Sequence, residues 1–182
     1  MNAIGNDTLP THAEIDRLIC LSLGSNIQPE KHLAKAIQAL EEFLTITAAS
    51  QAWRSPSIGS PGPDFINLTV LVRTHLAPET LKTEIVSRIV TSLGRQWTSD
   101  KNAPRTIDID ILLVGDKVWD EQLWNYAHLA IPTAELYPEL TNPHSGETLA
   151  QVAERLRRAV NISPCLEFPR PGCFDQPTSS QK

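Results

Sequence analysis

The chain has 182 residues and a formal net charge of −5, with 41% hydrophobic and 20% charged residues. This length and composition indicate an ordinary globular protein of about one domain, with enough apolar residues to bury a core. The acidic balance argues against broad electrostatic binding to nucleic acid, which usually requires a basic excess. The same balance disfavours a phosphate-rich substrate unless cations are concentrated locally.

The sequence lacks several common signatures. It has no G-x-G-x-x-G fingerprint and no G-x-x-x-x-G-K-[ST] loop, so a bound nucleotide must be held by side chains and metal. No apolar run approaches the ~18 residues that span a bilayer, and residues 1–16 do not resemble a secretory signal. The three cysteines, Cys20, Cys165 and Cys173, predict reduced thiols in a cytoplasmic protein that does not bind membranes.

The first half of the chain predicts a strand, a helix and a second β-leaning segment. Residues 1–16 form a polar leader, and the apolar run 17–23 predicts a buried strand. Apolar residues at helical spacing follow Pro29, a residue type that favours the first turn of a helix. Residues 45–53 favour β structure, whereas 54–64 are dense in proline and glycine and predict a loop.

The second half continues the alternation of strands and helices. Residues 65–74 predict a strand, and Pro78 begins a helix with apolar residues at four-residue steps through about Leu93. Gly94 is the residue type that ends such a helix. Residues 107–114 predict another strand, and 147–160 predict a final helix.

The resulting order, β-α-β-β-α-β, predicts an α+β fold, a ferredoxin-like α-β-α sandwich with a mainly antiparallel sheet. We expect one domain over residues 17–160, preceded by the leader and followed by a proline-rich tail over 161–182. We expect a monomer or a weak homodimer.

Two carboxylates define the sharpest feature of the sequence. Asp108 and Asp110 lie two apart on a predicted strand, so they share one face, about 6–7 Å apart, while Ile107, Ile109 and Ile111 point to the core. Two like charges at this spacing repel each other unless a cation is bound. Magnesium typically uses one or two carboxylates together with substrate phosphates. The alternative is a solvated polar face of an edge strand.

A local excess of cations precedes this pair. Segment 88–105 contains Arg88, Arg95, Lys101 and Arg105 against Asp100, a local charge of +3 in an acidic chain. Cations beside a carboxylate pair suit polyphosphate transfer, in which metal and arginine neutralise the developing charge. The alternative is a solvated loop of mixed charge. His128 lies in a predicted loop beyond the strand, where a lone histidine is more often structural than catalytic.

Several motifs together resemble the 6-hydroxymethyl-7,8-dihydropterin pyrophosphokinase family of folate synthesis. They are Leu23-Gly24-Ser25-Asn26, Arg54-Ser55-Pro56, Pro63-Asp64-Phe65-Ile66-Asn67, Gly94-Arg95, Pro104-Arg105-Thr106-Ile107-Asp108-Ile109-Asp110-Ile111 and the stretch from Pro132 to Leu149. The resemblance covers about residues 18–160. It implies transfer of pyrophosphate from ATP to the hydroxymethyl group of the pterin, with release of AMP.

The same resemblance implies roles for individual residues. Two Mg²⁺ ions would be bound by Asp108 and Asp110. The nucleotide would be contacted by Arg95, Arg105 and His128, with Ile111 lining the adenine site. The pterin would be met by Ser55, Pro56, Ile58, Phe65 and Asn67. A flat heterocycle requires amide and backbone groups at its edge and an aromatic ring at its face, which this set supplies.

The sequence also departs from the family pattern. Trp97 stands where a second arginine is usual, Asn102 replaces a tryptophan and Ala103 a glycine. The chain is about eight residues shorter after His128, in a stretch that normally carries an arginine and a phenylalanine. These departures leave three alternatives open: a paralogue with a different acceptor, a catalytically weak nucleotide- or pterin-binding protein, and a metal-dependent phosphohydrolase.

Overall fold

The computed structural model describes residues 16–57, 62–95, 104–168 and 171. The strands are β1 (Arg17–Ser25), β2 (Thr45–Ala49), β3 (Trp53–Ser55), β4 (Phe65–Thr74), β5 (Asp108–Val114), β6 (Lys117–Val118) and β7 (Ser163–Pro164). They form one antiparallel sheet in the order β6-β5-β1-β4-β3-β7, with β2 also paired to β4.

The helices cover both faces of this sheet. They are α1 (Pro29–Glu41), α2 (Pro78–Thr80), a π-helical segment (Leu81–Val86), α3 (Ser87–Ser92), a 3₁₀ turn (Glu121–Trp124), α4 (Ala127–Ala134) and α5 (Leu149–Ala159). The segments from α2 to α3 are continuous and form the second predicted helix. Pro29 begins α1 and Gly94, with φ 76°, follows the end of α3, as predicted.

The core consists of one layer on each side of the sheet. Alternate residues of β1 and β4, such as Leu21 and Leu68, pack with α1 and the π-helical segment. On the opposite face, Cys20 and Leu113 pack with residues of α4 and α5, including Leu129 and Val152. The chain therefore adopts the predicted α-β-α sandwich with an antiparallel sheet.

The C-terminal boundary differs from the prediction. Residues 161–168 were expected to begin a tail, but β7 pairs with β3 and Cys165 donates its backbone N–H to the carbonyl of Ala52 at 2.8 Å. Phe168 is only 7% exposed and belongs to the core on the α1 side. Pro164 can lie in β7 because this strand is at the edge of the sheet, where not every backbone N–H must donate to a neighbouring strand. Apart from Pro171, which is buried, the remaining tail residues lie outside the described part of the chain, as do leader residues 1–15.

A second difference concerns the segment around His128. The prediction placed His128 in a loop, whereas the structure places it in the first turn of α4. Pro132 lies inside this helix and has no N–H for the carbonyl four residues earlier. Pro132 therefore made this segment look non-helical in the sequence. The helix is nevertheless stabilised by burial, since Leu129, Ala130 and Ile131 lie in the core.

Candidate active site

Asp108 and Asp110 share one face of β5, as the two-residue spacing predicts. In the antiparallel register, Asp108 is opposite Gly24 and Asp110 is opposite Ser22 of β1. The side chains of the two aspartates are 25% and 46% exposed, respectively. Ile109 is 3% exposed and belongs to the core on the opposite face. Two carboxylates are thus presented together at one end of the sheet.

Both predicted arginines contact the first of these carboxylates. Arg95 Nη1 lies 3.0 Å from Oδ1 of Asp108 and also donates to the carbonyl of Ile107 at 3.0 Å. Arg105 Nη1 donates to Oδ2 of Asp108. Burial, followed by the neighbouring Asp110, raises the pKa of Asp108, and the two guanidinium groups act in the opposite direction. Cations and carboxylates therefore meet in one place in an otherwise acidic protein.

A cavity of about 520 Å³ opens beside these groups. It is lined by Lys82, Thr83, Val86, Ser87, Val90, Arg95, Asp108, Ile109 and Asp110. One wall is thus the π-helical segment and α3, and the other is the beginning of β5. A cavity of this volume lies within the usual range for small-molecule and cofactor sites.

The Ser25-Asn26 motif fixes the loop that leads into β5. Ser25 Oγ donates to the carbonyl of Thr106 at 2.6 Å, and Oδ1 of Asn26 accepts the backbone N–H of Arg105 at 2.6 Å. Asn26 Nδ2 also donates to the carbonyl of Pro63 at 3.3 Å, in the loop before β4. The end of β1 therefore holds two loops that carry predicted site residues, a role that the sequence did not reveal.

The predicted pterin residues meet on β3 and β4. Asn67 is 3% exposed and donates through Nδ2 to Oγ of Ser55 at 3.1 Å. Phe65, two residues earlier on β4, is opposite Ser55 in the strand register. Pro56 follows β3 and is exposed, while Ile58 lies outside the described residues. The structure therefore brings Ser55, Phe65 and Asn67 together, next to β1.

His128 lies near the carboxylate pair. Burial lowers its pKa to about 4, with the positive charge of Arg105 acting in the same direction and Asp110 opposing it. The imidazole is therefore neutral at pH 7 and supplies a hydrogen-bonding group rather than a positive charge. Its ring centroid lies 5.5 Å from that of Tyr126, which the sequence had not indicated.

Ile111 lies away from the carboxylates. Its side chain is 2% exposed and is packed in the core on the α1 side, on the opposite face of β5. The same core contains Ile109, which lines the cavity, so the expectation that Ile111 lines the adenine site stays a prediction. Among the described residues, the first half of β5 has no strand on the side away from β1, because β6 pairs only with Leu113 and Val114.

The donor set of the site fits magnesium held jointly with a ligand. In the described ranges, no cluster of three or more histidine, cysteine, aspartate or glutamate side chains could hold a metal alone. Asp108 and Asp110 supply hard oxygen donors on one face, open to the cavity. Magnesium commonly combines one or two carboxylates with water and substrate phosphates, and Asp108 and Asp110 would supply the carboxylates of such a set.

Sequence comparison supports the resemblance inferred from the motifs. The family described as 7,8-dihydro-6-hydroxymethylpterin-pyrophosphokinase matches residues 20–138. A relative from Synechocystis sp. is 31% identical over 147 residues, covering 75% of this chain and 74% of that protein. Another, from Aquifex aeolicus, is 33% identical over 135 residues, covering 69% and 83%. Both are named 2-amino-4-hydroxy-6-hydroxymethyldihydropteridine pyrophosphokinase.

Structural comparison agrees on the fold. The wild-type HPPK-DHPS of Plasmodium falciparum with SDX-DHP superposes with a TM-score of 0.61 at 13% sequence identity. The match covers 80% of this chain and 46% of that one, so the chain spans under half of the solved protein. At this identity the likeness shows the shared fold. In the described part of the chain, no helix has both the length and the hydrophobicity to cross a membrane.

Proposed function

The chain belongs to the 7,8-dihydro-6-hydroxymethylpterin-pyrophosphokinase family, and we propose that it is a Mg²⁺-dependent pyrophosphokinase of folate biosynthesis. In this reaction the hydroxymethyl oxygen of 6-hydroxymethyl-7,8-dihydropterin attacks the β-phosphorus of ATP. The new bond joins that oxygen to the β-phosphorus, the bond between the α,β-bridging oxygen and the β-phosphorus breaks, AMP leaves, and the hydroxyl proton is released to water. The β,γ-pyrophosphoryl group is thereby transferred as a unit.

The observation that carries this proposal is the position of Gly24 between the two halves of the site. Gly24 is opposite Asn67 on β4 and opposite Asp108 on β5, in three adjacent strands. Neighbouring strands lie about 4.8 Å apart, so the pterin residues and the carboxylates are separated by roughly 10 Å. A pterin at Asn67 and a triphosphate at Asp108 would thus be within reach of each other.

The polar residues of β3 and β4 would orient the acceptor. An asparagine amide has two N–H donors and one carbonyl acceptor, and Asn67 uses one N–H on Ser55. The amide is therefore held in one orientation by a buried partner before the pterin arrives. Phe65 supplies an aromatic ring beside it. This fixed arrangement favours a flat heterocycle that presents donors and acceptors at its edge.

The residues around β5 would bind and align the triphosphate. Asp108 and Asp110 would hold magnesium, which neutralises phosphate charge and orients the transferred group when it is bound. Arg95 is 9% exposed and fixed by the Ile107 carbonyl, so its guanidinium is already oriented toward the site. Phosphoryl transfer depends mainly on such positioning and charge stabilisation, and needs no covalent intermediate.

Assay of the products tests the proposal. The full chain is incubated with ATP, Mg²⁺ and the dihydropterin, and AMP is followed over time. Formation of AMP that requires the pterin supports pyrophosphoryl transfer. Formation of ADP or free phosphate without an acceptor would instead indicate a hydrolase, and binding of both ligands without turnover would indicate a binding protein.

We also propose a cytoplasmic location, which is consistent with the free thiols of the described cysteines.

A further inference from the structure

Lys82 is a charged residue of the cavity that no sequence motif indicated. It lies in the π-helical segment, and its Nζ is 3.4 Å from Oδ1 of Asp110. Its side chain is 55% exposed and lines the same cavity as Arg95 and Asp108. The cavity therefore has a cation on the helix wall facing the carboxylate pair on the strand wall.

Stability does not account for this lysine. Both partners of the ion pair are about half exposed, and such pairs contribute little to folding because water and salt screen them. The helix backbone around Lys82 is held instead by apolar residues, since Leu81 and Val86 are buried in the core. The backbone of Lys82 is thus fixed while its ammonium group remains in the cavity.

The local helix geometry is also unusual. Residues Leu81–Val86 are π-helical, between the α-helical segments α2 and α3. A π-helical turn widens the helix and is energetically less favourable than a regular one, and such turns often occur at functional sites. Here the widened turn carries both Lys82 and Thr83, which line the cavity.

Asp110 cannot at the same time form a favourable ion pair with Lys82 and bind a divalent cation. A metal ion on this carboxylate repels the neighbouring ammonium group. The lysine side chain is long and flexible, with three donors on a point charge, so it can turn to another anion without backbone movement. The anion that the proposed reaction brings into this cavity is the triphosphate.

We propose that Lys82 binds the phosphates of the nucleotide, exchanging Asp110 for a phosphate oxygen when Mg²⁺ and ATP occupy the site. This inference rests on the proposed function for the identity of the nucleotide. It assigns to the π-helical segment a direct part in substrate binding. The geometry also makes Lys82 a competitor of Mg²⁺ at Asp110 in the absence of nucleotide.

Calorimetric titration of the full chain tests this assignment. The ligands are a non-hydrolysable α,β-methylene analogue of ATP and AMP, each with Mg²⁺ in excess. Lys82→Met should weaken binding of the triphosphate analogue about tenfold and leave AMP affinity unchanged, because a charged hydrogen bond to phosphate is lost. Lys82→Arg should retain most of the affinity. Lys35→Met, at an exposed position of α1, is the matched control and should bind like the wild type.

The outcomes separate this assignment from the proposed function. Wild-type affinity of Lys82→Met for the triphosphate analogue would overturn the assignment, as would an equal loss for the analogue and AMP. Absence of any analogue binding by the wild-type chain would also overturn it. These titrations contain no pterin, so a wild-type chain that binds the analogue but forms no AMP would contradict the proposed function alone.

Discussion

Gly24 and Asn67 face each other on β1 and β4, and the side-chain amide of Asn67 occupies the space that a larger residue at position 24 would need. A Cβ atom built on Gly24 would lie 2.6 Å from Oδ1 of Asn67. This is closer than real Cβ contacts allow, so the amide would have to move. Asn67 also donates to Ser55, and any shift disturbs that hydrogen bond. Because Gly24 has no side chain, the Asn67 amide can keep the orientation in which it is predicted to bind the pterin.

Substitution of Gly24 tests this relationship. We expect Gly24→Ala to weaken binding of the dihydropterin about tenfold or more, because the Asn67 amide loses its orientation. Binding of the Mg²⁺–triphosphate analogue should change much less. In an Asn67→Ala background the same substitution should have little further effect, since the clashing amide is gone. Calorimetry on the four proteins measures the coupling, and an additive cycle would contradict the account.

The two aspartates should differ in their contribution to stability. Asp108→Asn places a neutral amide beside Arg95 and Arg105, and should lower the free energy of unfolding by about 2 kcal/mol. Asp110→Asn removes only a half-exposed ion pair and should cost less than about 0.5 kcal/mol. Both should lower kcat by about a hundredfold or more, since both carboxylates would hold metal.

Urea denaturation and steady-state kinetics on the two variants provide the measurement. Equal stability of both variants would contradict the role of the arginines at Asp108. A near-wild-type kcat in either variant would contradict its assignment as a metal ligand.

His128 should make stability depend on pH. Its pKa is about 4 in the folded chain, below the ordinary value of 6.5. Between these values the unfolded chain binds a proton that the folded chain does not, so the contribution to stability is lost as pH falls from about 7 to about 4. We expect His128→Gln to show a smaller loss of stability over this range than the wild type.

The matched control for this measurement is His75→Gln, at an exposed position after β4. Urea denaturation at several pH values compares the two variants with the wild type. If the slope of stability against pH for His128→Gln equals that of the wild type, the buried neutral imidazole is ruled out.

The C-terminal segment should contribute to the core. Phe168 is 7% exposed, whereas Leu166, two residues earlier, is 79% exposed. Phe168→Ala should lower the free energy of unfolding by about 3–4 kcal/mol through loss of buried apolar area. Leu166→Ala should change it by less than about 0.5 kcal/mol. Chemical denaturation measures both, and equal effects would mean that residues 161–168 are not part of the folded domain.

The regular strands and helices could be predicted because the spacing of apolar residues along the chain reflects which side chains are buried. The strand 65–74 was predicted with the bounds of β4, and alternation placed Asp108 and Asp110 together on β5. The family motifs and the sequence comparison agree on the same assignment. These features depend on residues that are neighbours in the chain or in one strand.

Features that depend on contacts between distant segments were not predictable. The pairing of β7 with β3 is carried by backbone hydrogen bonds, which leave no pattern in a proline-rich segment. The sequence did not predict α4 because Pro132 has a very low helix propensity. A helix that is stabilised by burial of its other residues can tolerate such a proline. Lys82 lies 28 positions from Asp110, and only the packing of the π-helical segment beside β5 brings them together.

Ile111 directly follows the carboxylate pair, and the alternation of side chains along β5 directs it into the core on the α1 side, together with Ile109. The resemblance located the segment, while the strand periodicity separates the residues that share a face with the carboxylates from those that face the core on the α1 side.

The most direct test of the account is the identity and stoichiometry of the products in a single reaction. With ATP, Mg²⁺ and 6-hydroxymethyl-7,8-dihydropterin, we expect one AMP for each pterin that gains a pyrophosphoryl group, and neither product when the pterin is omitted. Quantification by chromatography and mass spectrometry follows both species. Formation of ADP with a monophosphorylated pterin, or AMP formed at the same rate without the pterin, would contradict it.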